Sequence, residues 1–117
     1  MANAFKLKTF GGGSTGANTA MLVYTGKSST ETTIIGMSIA NISTSQILVS
    51  VNIESDTSDG ETNANVFLIK NAPIPAGGTL VPIGGDQKVV LLHTDLLKVT
   101  SDTANSADTT LSILEIS

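Results

Sequence analysis

Apolar and polar positions alternate with a period of two along much of the chain. The alternation is cleanest from Gln46 to Glu54. Ile47, Val49, Val51 and Ile53 share one face; Leu48, Ser50, Asn52 and Glu54 share the other. A helix would spread those four apolar side chains around its axis, so the segment reads as a strand. Ala4 to Phe10 repeats the pattern, with Phe5, Leu7 and Thr9 on one face and Lys6 and Lys8 on the other. Thr32 to Asn41 sets Ile35, Met37 and Ile39 against Gly36, Ser38 and Ala40. Such a small opposite face suits close packing or a shallow solvent face. Further short strands are expected at 21–25, 79–83, 88–92, 96–101 and 109–116. Val66 to Ile69 is an unbroken apolar run and reads as a strand covered on both sides or crossing the core.

Turn chemistry separates these runs. Gly11 to Asn18 (GGGSTGAN) and Asn41 to Ser45 (NISTS) read as loops, and Asp59-Gly60 marks a hairpin tip between Asp56 and Asn65. Pro73 and Pro75 are expected to break pairing after Ile69, and Pro82 to place its strand at a sheet edge. The result is about eight or nine short strands with turn signals every 8–12 residues and no segment of helical period. That is the signature of an all-β, antiparallel β-sandwich, jelly-roll-like or immunoglobulin-like. The chain divides into an N-terminal arm with a glycine hinge, 1–18, and a sandwich, 19–117. Phe5, Leu7 and Phe10, with the hinge glycines Gly11, Gly12 and Gly13, are candidate protein-interaction residues, because an arm strand can add itself to a neighbour's sheet. Lys6, Lys8 and Pro82 read as guards against uncontrolled edge pairing.

Composition narrows the function classes. The 117 residues suit one domain with one core, and the lack of cysteine excludes disulfides and thiolate metal sites. Net charge is −4; all six basic residues are lysines, scattered along the chain. Nucleic-acid binding favours clustered Arg and Lys, so it is not expected here. Four aromatic residues and no tryptophan leave little for stacking on sugars or single strands. The 13 serines and 16 threonines, with many Val and Ile, suit strands. Met1 to Phe10 has no apolar stretch of signal-peptide length and no run reaches membrane-spanning length, so neither a cleavable leader nor a membrane partner is expected.

Candidate chemistry is sparse. His93, the one histidine, and Asp95 could form an acid–base pair. No nucleophile or third group is marked beside them, so H-T-D reads as a strand corner. Asp56, Asp59 and Glu61 offer calcium-type oxygens, but D-x-x-D-G-E misses the EF-hand template and supplies only part of the six or more ligands required. Asp102, Asn105 and Asp108 read as loop residues that bond local backbone. Asn41-Ile42-Ser43 matches a glycosylation sequon and is taken as chance. The glycines after Phe10 lack the Gly-Lys-Ser/Thr of a phosphate loop. No catalytic residue, metal or cofactor is expected, and function is assigned to surfaces.

Three local patterns carry a resemblance. Val23-Tyr24-Thr25 is followed, across a Ser/Thr-rich gap, by Ile35-Gly36-Met37-Ser38-Ile39-Ala40-Asn41. Ile74-Pro75-Ala76-Gly77-Gly78-Thr79-Leu80 comes next. Asp95-Leu96-Leu97-Lys98-Val99 then leads to a closing Leu-Ser-Ile-Leu-Glu-Ile strand. Over about residues 20–116 the chain resembles small β-sandwich virion structural proteins of tailed bacteriophages, cyanophage-like ones in particular. The resemblance implies a non-enzymatic, multi-copy particle component. Its first form is a head decoration or cement protein that binds and stabilises the major capsid protein, assembled in the host bacterial cytoplasm and located in the virion, as a homo-oligomer, a trimer being possible. A tail, neck or baseplate component is the alternative, and a host-surface-binding module the third reading.

Overall fold

The structure, a computed structural model, describes residues 3–12, 16–55, 63–84 and 87–117. Within them lie nine strands: β1 (Asn3–Phe10), β2 (Met21–Thr25), β3 (Glu31–Asn41), β4 (Ile47–Glu54), β5 (Val66–Ile74), β6 (Thr79–Ile83), β7 (Val89–Leu91), β8 (Leu96–Ser101) and β9 (Ala107–Ile116). One sheet has the order β1-β9-β3-β6, with β7 beside β6 on the same flank of β3; the other has the order β2-β8-β4-β5. All pairings are antiparallel.

This order has a simple generating rule. The chain pairs with itself from both ends inward: β1 with β9, β2 with β8, β3 with β6 and β7, β4 with β5. That long double ribbon then rolls up until β9 meets β3 and β8 meets β4. The product is a jelly roll, in which β6 and β7 together occupy the place of one strand. The sandwich expected from the period-two pattern is present, and its jelly-roll form is the one realised.

Rolling brings one face of each sheet inward. Ile34, Met37, Ile39, Leu111 and Ile113 from the first sheet meet Val23, Ile47, Val49, Val51, Leu97 and Val99 from the second, all essentially without solvent contact. Burying such a side chain stabilises the fold by roughly 1.5–3 kcal/mol. The inward row of β4 is therefore the one its alternation marked.

Three expectations fail for local reasons. A bulge between Ile34 and Gly36 sets two residues of β3 against one of β9. Ile34 takes the core position and Ile35 turns to the outside, so Ile35 does not share a face with Met37 and Ile39. Val66 to Ile69 is not covered on both sides either. It opens β5, the outer strand of its sheet, and leaves Val66 and Phe67 about half exposed. β5 also continues through Pro73 to Ile74 rather than stopping at Ile69. An edge strand tolerates proline, whose missing N–H need not interrupt the ladder. Where β5 bulges, Asn71 adopts a left-handed φ of 53°, and its N–H bonds to Ser50 Oγ at 2.9 Å.

Asn41 locks one end of the sandwich. It is 2% exposed, and its amide nitrogen donates to the carbonyls of Ser45 and Ile74 at 2.8 and 2.9 Å. Its Oδ1 accepts from the backbone N–H and hydroxyl of Ser43. The sequon asparagine is thus a buried cross-brace, and its nitrogen is fully engaged. Asn41→Asp should destabilise the protein by about 3 kcal/mol, because a carboxylate oxygen would face two carbonyls. The exposed control Thr44→Ala should stay within about 0.5 kcal/mol in the same urea titration.

Candidate interaction surface

The surfaces of the two sheets differ in chemistry. Directly opposed residues in antiparallel strands share a face. Across the β1-β9-β3 sheet this sets Phe5 beside Leu114, Leu114 beside Thr33, and Thr33 beside Val90 of β7. The next row is Leu7, Ser112 and Gly36, and the next Thr9, Thr110 and Ser38. No charge enters these three rows. Phe5 is 77% exposed, Leu7 67%, Val81 62% and Val90 57%. Ile35, turned outward by the bulge, joins Val81, Gly36 and Ser112 in a shallow groove on this face. The second sheet carries an ion pair on its outside, Lys98 with Glu54 at 2.9 Å, flanked by Asn52, Ser50 and Thr100.

The alternation in β1 is therefore inverted relative to the usual rule that apolar residues face inward. Its apolar row, Phe5 and Leu7, faces solvent, while Lys6 and Lys8 lie opposite the inward Ile113 and Leu111. Among the other candidate interaction residues, Phe10 is half-buried and packs on the core. Gly12 is buried, donates its N–H to Asp108 Oδ1 at 2.8 Å, and lies where a Cβ would run into the Ala107 carbonyl. Gly11 is exposed beside Asp108. Gly13 lies outside the described residues.

A carboxylate explains the inward Lys6. Glu115 on β9 is 6% exposed. Lys6 Nζ lies 2.8 Å from Oε1, Lys27 Nζ lies 3.2 Å from both oxygens, and Tyr24 Oη donates to Oε2 at 2.7 Å. Thr32, fully buried on β3, completes the set through a 2.8 Å hydroxyl bond to Tyr24. Burial pushes the Glu115 carboxyl up, but the bonds from Lys6, Tyr24 and Lys27 outweigh it and hold its pKa down at about 2. Burial, together with the Glu115 bond, raises the Tyr24 phenol, and the Glu115 bond raises Lys6. The charge of Lys6 is thereby paired with Glu115. None of these partners is adjacent in sequence, which is why the pattern alone did not reveal the cluster.

The remaining candidates resolve into turn chemistry. Asp95 is 4% exposed; its carboxylate accepts from Leu92 N–H at 2.9 Å and Ser55 Oγ at 2.7 Å, while His93 is exposed. Asp102 accepts from Leu48 N–H at 3.0 Å, tying the β8–β9 loop to β4. Asn105 takes a left-handed φ of 57°. Asp56, Asp59 and Glu61 lie outside the described residues. Among the described residues, no three His, Asp or Glu side chains gather as metal ligands do.

Comparison with known proteins adds a fold-level likeness. No family model matches the chain, and no curated protein matches it. A chain from the crystal structure of the T13 IBDV viral particle superposes on it with a TM-score of 0.58 at 11% identity, over 97% of this chain. This chain spans 30% of that one. At such identity the likeness is one of fold alone, that of a β-sandwich.

The Glu115 cluster has a pH signature. A carboxyl held at about 2 when folded and near 4.5 when unfolded contributes stability fully present above pH 4.5, and lost as pH falls through 2. That shift amounts to roughly 3 kcal/mol. Glu115→Gln should lower stability at pH 7, and the gap from the parent should close between pH 4.5 and 2 in urea titrations. A gap independent of pH would contradict this. Tyr24→Phe, which strands the Thr32 hydroxyl, should cost about 1–2 kcal/mol.

Proposed function

We propose that this chain is a non-enzymatic structural protein of a virus particle, and that it lays the uncharged face of its β1-β9-β3 sheet on a neighbouring particle protein. The observation that carries the reading is that face itself, with Phe5, Leu7, Val81 and Val90 turned to solvent on a sheet free of outward charge across its three central rows. Interface cores are depleted in charge and enriched in aromatics. The fold likeness to a chain of a viral particle supports a particle setting.

Size argues for the form of attachment. Four strands about 4.8 Å apart, each with about eight residues at 3.3 Å, present roughly 500 Å², against about 800 Å² per partner for a stable pairwise interface. One such contact is weak. Repeated over the many equivalent positions of a shell, weak contacts become collectively strong. A head decoration or cement protein, seated on the major capsid protein and reinforced by association of its own copies, meets that requirement.

A quantitative gel of purified virions should find the chain in hundreds of copies per particle. Tens of copies would move it to the tail, and its absence from particles would overturn the reading. Phe5→Glu with Leu7→Glu should reduce rebinding to stripped heads at least about tenfold, because each places a charge in the apolar contact. Circular dichroism should show the fold unchanged, since both side chains are exposed.

A further inference from the structure

Four strand edges bound the two sheets, and three are blunted. β2 has five residues and a register shift between Leu22 and Tyr24. β5 carries Pro73, two shifts and the left-handed Asn71. The β6–β7 flank is two short strands, one holding Pro82. β1 differs. It pairs with β9 through eight consecutive residues, Asn3 to Phe10, with no shift, proline or left-handed residue. Native sheets usually protect such an edge, because its open row of N–H and C=O groups templates another strand.

The chemistry beside this edge is specific. A groove between β1 and β2 has Phe10, Leu22, Val23 and Tyr24 along it and Lys8 and Lys27 at its rims. Lys6, Lys8 and Lys27, three of the six lysines, lie along this margin. Glu115 neutralises one charge, leaving two positive charges in a chain of net charge −4. On its other face the same strand shows Phe5 and Leu7.

We propose that the open edge of β1 accepts an extended segment of a partner protein in which apolar residues alternate with carboxylates. Added by β-augmentation, the segment extends the β1-β9-β3 sheet. Its apolar side chains lie beside Phe5 and Leu7, and its carboxylates reach Lys8 and Lys27 over the groove. A second copy of this chain fits less well. Antiparallel β1–β1 pairing that keeps Phe5 and Leu7 on one face sets Lys6 or Lys8 against its counterpart in the central registers, and opposed like charges destabilise a strand pair. The inference rests on the interaction role proposed above and names the partner's chemistry; it does not depend on which particle the partner comes from.

The test uses the full chain and an end-blocked octapeptide of alternating valine and glutamate, with a valine–lysine octapeptide as control. Titration calorimetry should show binding of the first and not the second, weakening as salt rises. Hydrogen exchange should slow at alternate β1 amides on binding. Lys8→Glu should weaken binding about tenfold, as an attractive rim contact becomes repulsive, with the unliganded exchange pattern elsewhere unchanged. Equal binding of both peptides, or binding that leaves β1 amides unprotected, would overturn the proposal. So would β1 protection that grows with protein concentration in the absence of peptide, which would assign the edge to a second copy. Peptide binding by a chain absent from virions would sink the particle reading alone; a chain abundant in virions that ignores the peptide would sink this one alone.

Discussion

One buried carboxylate holds β1 in place against the sandwich. Glu115 sits on β9, the strand flanked by β1 and β3, and draws Lys6 of β1, Tyr24 of β2 and the nearby Lys27 onto itself, with Thr32 of β3 behind the phenol. Four strands from two sheets converge there. A buried charge without partners would cost several kcal/mol. With three donors it is stable only while all those strands are docked. The cluster therefore makes the position of β1 conditional on the rest of the sandwich, and the outward display of Phe5 and Leu7 follows from it. If Lys6 is drawn inward, its strand neighbours on either side must point out.

The jelly-roll topology supplies the other half of the arrangement. Pairing the chain ends first makes β1 and β9 neighbours, and rolling the ribbon lays β9 against β3. A broad sheet results, with three uncharged rows outside. The second sheet carries an ion pair on its outside. The two outer faces of the domain therefore differ in charge.

Much of the architecture was legible because period two is a direct consequence of strand geometry. Ile47, Val49 and Val51 announced their strand and its buried face, and Pro82 announced an edge. What stayed hidden depends on long-range geometry. The alternation in β1 separates Phe5 and Leu7 from Lys6 and Lys8 but does not say which face is outside; that depends on Glu115, more than 100 residues beyond Lys6. The bulge at Ile35 has no local marker, since Ile34 and Ile35 are equally apolar. The run Val66 to Ile69 suggested full burial, but as an outer strand β5 has a sheet neighbour on one side only. Phe5 and Leu7 stood out as candidate interaction residues from alternation alone, whereas Val81, Val90 and Leu114 join them on one face only through strand pairing.

The central claim is that the β1-β9-β3 sheet, and not the charged β2-β8-β4 sheet, is the contact face. Hydroxyl-radical footprinting of the free protein and of intact particles tests it most directly. Oxidation of Phe5, Leu7, Val81, Val90 and Leu114 should fall sharply in particles, while Phe67 on the other sheet remains as reactive as in the free chain. Protection of Phe67 with unchanged labelling of Phe5 and Leu7 would contradict the account.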